Sequence, residues 1–462
     1  MYIEQIYTNC LAEAAYYIES DGEAAIIDPL RDIQPYIDLA EKRGASIKYV
    51  FETHFHADFV SGHVDLMNKT GAKIIYGPSA SADYEITVAK DNEKFDLGKT
   101  QIKVLHTPGH TLESSCFLVL DENGEEHSVF TGDTLFIGDV GRPDLAVSSD
   151  VSREDLAGML YESIKSKLQP LNAEVIMYPG HGAGSQCGKS LSKETQSTIG
   201  RQFSAERNLV ATSKEDFVAQ VTEGLTSPPQ YFPKNAGINK SGYATSIDSI
   251  IDKSMKALSV DEFNMESEKE NTIIIDSRAS TEFSSGFIEN SMSVGLDGFF
   301  AVWVGTLVED LNTRILLVTD DGKEHDTIVR LARVGYENVI GYLVGGIQNW
   351  IVSHQPIEKI ENCCPATFKV LSEALSIIDV RNESEYMDGH IVNAKNIPLA
   401  KLQGSIEQID KEQYQYIYCK SGYRSIIAAS ILRSKGFTKI FNIRNGFDGI
   451  TNKKECCDGT TK

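Results

Sequence analysis

Three side chains that commonly bind metals follow one apolar stretch near the start of the chain. The run 49–51 predicts a buried strand, and His54, His56 and Asp58 come directly after it. A strand that ends in a short loop brings these side chains to one place. Imidazole and carboxylate together suit zinc or iron and do not suit calcium. Any one of these histidines alone could be a hydrogen-bonded core residue, so the hypothesis of a metal site depends on further donors.

The same arrangement recurs after three later strands. His110, Asp133 and His181 each follow a short apolar run, and a glycine directly precedes each of them. Glycine lets the backbone approach an ion without a Cβ clash. The strands predicted before these donors cover 101–105, 128–130 and 174–178. Donors at four strand ends favour a metal site over four unrelated turn residues.

These motifs resemble the metallo-β-lactamase superfamily, and more closely its persulfide dioxygenase branch. The matching segments are Thr53–Asp58, Thr107–Thr111, Gly132–Phe136 and Gly141–Asp144. The resemblance covers about the first half of the chain. It implies an αββα sandwich that oxidises the outer sulfur of a low-molecular-weight thiol persulfide with O2, giving sulfite and the thiol.

The residue after the motif aspartate bears on the number of metal ions. Two-metal hydrolases of this superfamily commonly carry a histidine there, whereas this chain has Phe59, which cannot ligate. On this resemblance we predict one Fe²⁺ per chain, held by His54, His110 and Asp133. Two histidines and one carboxylate on one face leave about three positions for O2 and substrate sulfur. The alternative cofactor is Zn²⁺.

Five other residues of this half are given roles around the site. We expect His56, Asp58 and His181 to orient the ligands and oxygen, or to be alternative metal ligands. We predict that Arg142 lies on the rim of the metal pocket and pairs with a carboxylate of the substrate, with an ordinary structural salt bridge as the alternative. Cys187 lies in a glycine-rich turn, where it either accepts sulfur or is a packing residue.

The composition indicates a globular protein in the cytoplasm. The 462 residues suggest about three domains. A net charge of −22 argues against nucleic acid and against an anionic membrane surface as partners. We expect no signal peptide and no transmembrane helix. Eight cysteines are too few for a disulfide framework, although the adjacent pair Cys456-Cys457 in the polar tail is expected to be exposed and redox-labile. The other adjacent pair, Cys363-Cys364, is a weaker indication of a functional role than Cys419 is.

Regular structure is predicted throughout the first half. Ser152 and Asp155 resemble a capping box, which predicts a helix from there to about Leu168. The polar stretch from His181 to about Asn208 is also predicted to be helical. The proline-rich segment 226–233 breaks regular structure, and we interpret it as an ordered connector.

The rest of the chain contains an internal repeat. Asp276 and Arg278 are followed by Gly286-Phe287-Ile288, and the equivalent residues Asp379, Arg381 and 389–391 all lie 103 residues further on. Each repeat alternates strands and helices, which predicts a parallel α/β domain. A strand that ends in Asp-x-Arg, with a downstream Gly-His-Ile, resembles the rhodanese domain.

The second repeat carries a candidate nucleophile. Cys419 follows a predicted strand, and a loop containing Lys420, Gly422 and Arg424 leads into a helix predicted at 425–432. Backbone N–H groups at such a helix start, together with the two cations, should lower the pKa of the cysteine and hold an anionic persulfide. Four residues separate the cysteine from the arginine, as in rhodaneses. Cysteine phosphatases that resemble this fold have five, so the spacing favours sulfur transfer.

The first repeat has no nucleophile at this position. When Gly322 is aligned with Gly422, Thr319 takes the place of Cys419. A threonine hydroxyl cannot carry a persulfide, so we expect a structural, spacing or docking role for this repeat.

The residues alone indicate a metal site joined to a sulfur-transfer loop, and the two resemblances imply a three-domain enzyme of sulfide detoxification. The expected domains are residues 1–247 for the persulfide dioxygenase with its connector, 248–357 for a degenerate rhodanese-like domain and 358–462 for an active one. Sulfane sulfur would move through Cys419 onto sulfite to give thiosulfate, so the product of one site is the acceptor at the other. Expected partners are thiol persulfide, O2, sulfite and thiosulfate, without nucleic acid or membrane, and we expect a homo-oligomer. The alternatives are a zinc-dependent thioester hydrolase of the glyoxalase II type with accessory sulfurtransferase domains, and a back half that relays sulfur without turnover.

Overall fold

The computed structural model describes residues 1–204, 208–225, 227–371 and 375–451. These residues divide into two units, 1–249 with 332–335, and 250–331 with 336 onward. The pair Cys456-Cys457 lies outside the described residues. Within them, no helix is long and apolar enough to cross a membrane.

The first unit contains two six-stranded mixed sheets. In the first sheet the strands are neighbours in chain order, antiparallel from β1 to β3 and parallel from there on; they are β1 Tyr2–Thr8, β2 Glu13–Ser20, β3 Glu23–Ile27, β4 Ser46–Glu52, β5 Lys73–Tyr76 and β6 Thr87–Val88. The second sheet has the spatial order β12-β11-β10-β9-β8-β7; its strands are β7 Lys94–Leu97, β8 Thr100–His106, β9 Ser115–Leu120, β10 Glu126–Gly132, β11 Ile176–Pro179 and β12 Ser197–Thr198.

Alternate residues of the strands build the core between the two sheets. Tyr16 of β2, Val104 of β8 and Phe130 of β10 belong to one buried cluster that draws on both sheets. Helices cover the outer faces, which completes the predicted αββα sandwich. The helices of this unit are α1 Gln34–Arg43, α2 His63–Thr70, α3 Arg153–Ser163, α4 Ile199–Gln202, α5 Lys214–Thr222, α6 Phe232–Ser241 and α7 Ile247–Ser254.

One of the two helix predictions in this region is confirmed and the other is wrong. The Ser152 side chain accepts from the Asp155 N–H at 3.1 Å, and the Asp155 carboxylate accepts from the Ser152 N–H at 3.0 Å, so the capping box opens α3. The stretch after His181, in contrast, consists of turns up to β12 and then the short helix α4. Its glycines at 182, 184 and 188 disfavour helix, and no apolar residues repeat at helical spacing to compensate.

The connector is ordered, as predicted, over its described part. Tyr231 and Phe232 are buried, and Pro233 lies in the first turn of α6, where its missing N–H costs no hydrogen bond. Thr226 lies outside the part of the chain that the structure describes. The buried face of α6 also includes Asn235 and Asn239.

The second unit contains two parallel five-stranded sheets with equivalent strand orders, which confirms the predicted repeat. The first has the order β13-β17-β16-β14-β15; its elements are β13 Ala257–Leu258, α8 Val260–Ser267, β14 Thr272–Asp276, α9 Ser280–Ser285, β15 Ser291–Ser293, α10 Phe300–Leu307, β16 Arg314–Val318, α11 Glu324–Ala332, β17 Val339–Leu343 and α12 Gly346–Val352. The second has the order β18-β22-β21-β19-β20; its elements are β18 Glu361–Cys363, α13 Pro365–Leu371, β19 Ser376–Asp379, α14 Glu383–Met387, β20 Ala394–Asn396, β21 Gln415–Tyr418, α15 Tyr423–Ser434, β22 Ile440–Ile443 and α16 Gly446–Thr451.

Candidate metal centre and cysteine loop

The loop after β4 is fastened to the end of β3. Thr53 donates its backbone N–H to Asp28 Oδ1 at 2.7 Å and its hydroxyl to Asp28 Oδ2 at 2.8 Å. The Thr53 hydroxyl oxygen lies 3.0 Å from Nδ1 of His54, which leaves Nε2 of that ring for other contacts. Gly132 passes this loop so closely that a Cβ there would lie 2.5 Å from the Thr53 hydroxyl, and its φ of +47° also favours glycine.

The three predicted ligands converge at the strand ends. His110 donates from Nδ1 to the backbone carbonyl of Arg142 at 2.9 Å, and its Nε2 lies 3.5 Å from Oδ2 of Asp133. One ligand atom each from His54, His110 and Asp133 lies within 4.8 Å of the others. Because a carbonyl can only accept, Nδ1 of His110 carries the proton and Nε2 presents its lone pair.

This group of three fits a divalent metal ion. Nε2 of His110 and both carboxylate oxygens of Asp133 are buried and have no hydrogen-bond partner among the described residues. Buried polar atoms without a partner are costly, and a bound cation would satisfy all of them. Burial, reinforced by the neighbouring imidazoles, lowers the pKa of His54 well below its usual value, and burial also lowers the pKa of His110. Both rings are therefore neutral, which is the form that ligates metals.

His56 lies beside this group, with its ring centroid 4.3 Å from that of His54, but its Nε2 contacts other residues. Its Nε2 lies 3.0 Å from Oδ1 of Asp28 and 3.3 Å from Oε2 of Glu52, and Phe59 stacks on its ring at a centroid distance of 4.3 Å. Burial alone would lower the pKa of His56, but the two carboxylates outweigh it and raise that pKa well above its usual value. His56 therefore offers its Nε2 to two carboxylates and not to the three predicted ligands.

A second group of potential ligands lies beside the first. Asp58, His181 and Cys187 offer ligand atoms within 4.8 Å of one another, and Nε2 of His181 lies 3.3 Å from Oδ2 of Asp58 and 3.5 Å from Oδ1 of Asp133. Burial, followed by the nearby carboxylates, raises the pKa of the Cys187 thiol well above its usual value. The cysteine of the glycine-rich turn therefore faces the metal pocket, and its role as a sulfur acceptor stays a prediction.

Arg142, which was predicted on the rim of the metal pocket with a structural salt bridge as the alternative, is buried and forms a salt bridge. Its side chain is 4% exposed and forms two hydrogen bonds to the Asp144 carboxylate at 2.6 and 2.8 Å. Its backbone carbonyl holds His110, and its N–H donates to the carbonyl of Cys187 at 2.9 Å. This placement favours a role in positioning His110, and contact with the substrate stays a prediction.

In the second repeat Cys419 lies in a tightly held loop between β21 and α15. The side chain is 1% exposed, and its sulfur accepts from the Gly422 N–H at 3.1 Å. The Cys419 carbonyl accepts from the Phe447 N–H at 2.7 Å. A Cβ at Gly446 would lie 2.3 Å from that carbonyl oxygen, so only glycine fits there. The backbone thus fixes the sulfur at the start of the helix, as the sequence predicts.

The two predicted cations of this loop have different surroundings. Arg424 donates from both terminal nitrogens to the Glu385 carboxylate, at 2.6 and 2.8 Å. Burial alone would raise the pKa of Glu385, but Arg424 outweighs it and lowers that pKa. Lys420 is exposed at the mouth of the loop. The arginine is therefore oriented by the Glu385 carboxylate, which the sequence analysis did not single out.

Sequence reasoning missed three residues at the metal centre. Asp28 carries a usable signal, because it directly follows the apolar run 24–27 in the way that the other donors follow apolar runs. Glu52 directly follows the predicted strand 49–51 and carries the same signal, and in the structure it is the last residue of β4. Asn239 carries none, because it lies in a polar helix far along the chain, although it contacts the metal loop directly.

Comparison with known proteins identifies the parts of the chain. The metallo-beta-lactamase superfamily matches residues 8–181, and the rhodanese-like domain matches residues 259–353 and 365–453. A cytoplasmic hydroxyacylglutathione hydrolase of Arabidopsis thaliana is 35% identical over 180 residues, which is 38% of this chain and 66% of that protein. The hydroxyacylglutathione hydrolase of Pelagibacter ubique is 32% identical over 178 residues, which is 37% of this chain and 68% of the relative.

A solved structure covers more of the chain. The metallo-beta-lactamase from Staphylococcus aureus subsp. aureus COL superimposes with a TM-score of 0.64 at 29% identity, over 74% of this chain and 98% of its own. The chain thus spans just under two thirds of the Arabidopsis relative but nearly all of the Staphylococcus protein.

Proposed function

This chain belongs to the metallo-beta-lactamase superfamily and carries two rhodanese-like domains, and we propose that it oxidises a thiol persulfide and transfers sulfur to the product. The first domain, residues 1–247, uses O2 to convert the outer sulfur of a low-molecular-weight persulfide to sulfite. The last domain, residues 358–462, passes sulfane sulfur through Cys419 to sulfite and gives thiosulfate. Residues 248–357 form the degenerate rhodanese-like domain.

The observation that carries the proposal is the set of three donors at the strand ends. His54, His110 and Asp133 form a two-histidine, one-carboxylate group, and His56 pairs with Asp28 and Glu52 instead of joining it. A face of three ligands with open positions is typical of non-haem iron oxygenases. Iron(II) bound there would supply the positions at which O2 and the substrate sulfur meet.

Neighbouring residues of the chain orient the three ligands. The Arg142 carbonyl fixes the proton of His110 on Nδ1, and the Thr53 hydroxyl orients the ring of His54. His181 lies 3.5 Å from the other oxygen of Asp133, and Asp58 in turn lies 3.3 Å from the same nitrogen of His181. Because all these groups are buried, the site excludes bulk water from a reactive sulfur species.

The sulfur transfer step balances without a further oxidant. The Cys419 thiolate attacks the outer sulfur of a persulfide, the S–S bond breaks, and the thiol leaves with the proton. Sulfite then takes the outer sulfur from the cysteine persulfide as thiosulfate, and the thiolate is regenerated. The Gly422 N–H, which already donates to the sulfur at 3.1 Å, stabilises the anion.

A zinc-dependent hydrolase is the second candidate. Two observations favour it: the relatives named hydroxyacylglutathione hydrolase, and the second donor group of Asp58, His181 and Cys187 beside the first. In this case two ions would be held, and the substrate would be a thioester.

Metal analysis combined with oxygen uptake separates the two functions. Protein purified without oxygen is expected to contain one iron per chain, to consume O2 with glutathione persulfide and to leave a hydroxyacylglutathione thioester intact. His110→Ala is expected to lose the metal and the O2 uptake, and to keep thiosulfate:thiol sulfur exchange at Cys419. Two zinc ions per chain, with thioester hydrolysis and no O2 uptake, would establish the hydrolase instead.

A further inference from the structure

The side chain of one residue in α6 holds the loop that carries the first metal donors. Asn239 is fully buried. Its Nδ2 donates to the carbonyl of His56 and to that of Phe59, both at 2.7 Å. Its Oδ1 accepts from the Ser61 N–H at 2.9 Å. One side chain thus satisfies three backbone groups of a loop that has no regular structure of its own.

The chemistry of these contacts is specific to an asparagine. Two carbonyls and one N–H require a side chain with two donors and one acceptor, at the reach of a single methylene. Aspartate has the reach but cannot donate, and glutamine has the groups but is longer. Because the three backbone groups of residues 56, 59 and 61 are buried, removing the amide would leave them without partners.

Tyrosines on both sides fix α6 against the loop. The Tyr84 hydroxyl donates to the Asn239 carbonyl at 2.8 Å, and the Tyr243 hydroxyl donates to the Ser61 carbonyl at 2.8 Å. The guanidinium of Arg31 lies over the ring of Tyr243 at 3.4 Å. These contacts leave the Asn239 amide little freedom to turn away from the loop.

We propose that Asn239 is a positioning residue of the metal centre. Its amide sets the path of residues 56–61, so that Asp58 faces His181 while His56 faces its two carboxylates. The helix that follows the proline-rich connector therefore completes the metal site and is more than a spacer. The inference rests on the proposed function only for the presence of a divalent metal, and it holds for either candidate chemistry.

Metal affinity tests this role without depending on turnover. We use Co²⁺ as the probe, measure its dissociation constant by chelator competition, and record its visible absorption in metal-depleted full-length protein. Asn239→Ala is expected to bind Co²⁺ about 10-fold more weakly, with an altered spectrum, because Asn239 holds the loop that carries His54 and Asp58, and contacts outside the ligands themselves typically contribute about this much. A parent-like dissociation constant and spectrum would overturn the proposal.

The same helix offers a matched control. Asn235 lies one turn earlier and is equally buried, and its side-chain amide has no hydrogen-bond partner among the described residues. Asn235→Ala is therefore expected to change Co²⁺ affinity less than twofold. An equal loss in both variants would mean that the helix acts only through general stability, and that too would overturn the proposal.

A second variant covers the case in which Asn239→Ala does not fold. Asn239→Asp keeps the volume and the acceptor for Ser61 but loses both donors. It is expected to weaken Co²⁺ binding in the same range. Folded Asn239→Asp with parent-like binding contradicts the proposal, whereas a strong Co²⁺ site without O2 uptake contradicts only the proposed oxygenase.

Discussion

The two rhodanese-like repeats share a scaffold and differ at one loop. In each, an arginine pairs with the aspartate two residues before it: Arg278 with Asp276 at 2.6 Å, and Arg381 with Asp379 at 2.7 Å. Each arginine also donates to the carbonyl eight residues further on, at 2.9 and 2.7 Å. These buried pairs fasten the end of a central strand to the chain beyond the next helix in both repeats.

The loops that follow the fourth strand of each repeat occupy equivalent positions. A Cβ on Gly346 would lie 2.8 Å from the carbonyl oxygen of Thr319, and a Cβ on Gly446 would lie 2.3 Å from that of Cys419. The next two residues are aspartates in the first repeat and lysine and serine in the second. Thr319 therefore occupies the place of the cysteine, in a loop of opposite charge.

The carboxylates that face these loops differ in the same way. Glu385 orients Arg424 with two hydrogen bonds. Glu282, its equivalent, is exposed and forms no ion pair with any residue that the structure describes. Because both repeats keep the Asp-x-Arg pair, this pair stabilises the fold and is not specific to sulfur chemistry. The capacity for sulfur chemistry depends on the cysteine, the charge of its loop and the oriented arginine.

The largest expected difference between the repeats comes from the nucleophile. Cys419→Ser should lower thiosulfate formation below roughly a thousandth of the parent rate, because a hydroxyl does not form a persulfide. O2 consumption should continue, with sulfite released in place of thiosulfate. Thr319→Ala should change neither reaction. Oxygen-electrode traces with chromatographic assay of sulfite and thiosulfate measure both; thiosulfate at the parent rate from Cys419→Ser would exclude transfer at this loop.

Installing the missing nucleophile sharpens the comparison. Thr319→Cys in the Cys419→Ser background should stay below about a hundredth of the parent transfer rate. The two aspartates beside position 319 repel an anionic persulfide, and position 324, which is equivalent to Arg424, is a glutamate. Thiosulfate:cyanide sulfurtransferase assays measure this. Substantial transfer would show that the cysteine alone separates the two repeats.

Breaking the shared pair should affect both repeats alike. Asp276→Asn and Asp379→Asn each leave a buried arginine without its charge partner, and each should destabilise its repeat by about 3 kcal/mol. Calorimetry, with limited proteolysis to locate the opened repeat, compares the two variants. A large loss in one repeat only would mean that the pair has a different role in each.

The smallest expected effect concerns the orientation of the arginine. Glu385→Gln should slow transfer about 10-fold, because one charge-assisted contact to Arg424 is lost and the guanidinium is held less well. Glu282→Gln is the matched control and should leave transfer unchanged. In steady-state measurements on Glu385→Gln, the decrease in kcat should be larger than the change in KM. Equal rates in the two variants would mean that Glu385 has no role in sulfur transfer.

The sequence predicted the convergence of the three donors because they share one physical property, whereas their role as ligands stays a prediction. Donors at the ends of neighbouring strands meet at one edge of a sheet, so alternation and glycine spacing were enough to bring His54, His110 and Asp133 together. The repeat offset was enough to predict two equivalent parallel sheets, whose strand orders confirm it. These are local or periodic patterns, and they can be interpreted from the sequence without knowing how the side chains pack.

The rest depended on contacts that no local pattern encodes. The direction of His56 follows from two buried carboxylates, one of which is on the last residue of β4. Arg142 is buried together with Asp144, its ion-pair partner. The sequence does not show that these two neighbouring residues pair with each other. The predicted helix after His181 failed because polarity alone does not give helical periodicity.

The hydrogen bond from Asn239 to His56 joins residues 183 positions apart in the chain. During translation, every predicted metal ligand has been synthesised once His181 is made, and Asn239 follows roughly 3–12 s later. Over that interval the nascent chain contains all the donors, but the loop lacks the amide that gives it its path. Contacts between such distant residues also form late in folding, because loop closure must precede them. A metal ion can therefore bind in the final geometry only when the first domain is nearly complete. A chain interrupted before α6 contains the predicted ligands but lacks the Asn239 amide that positions their loop.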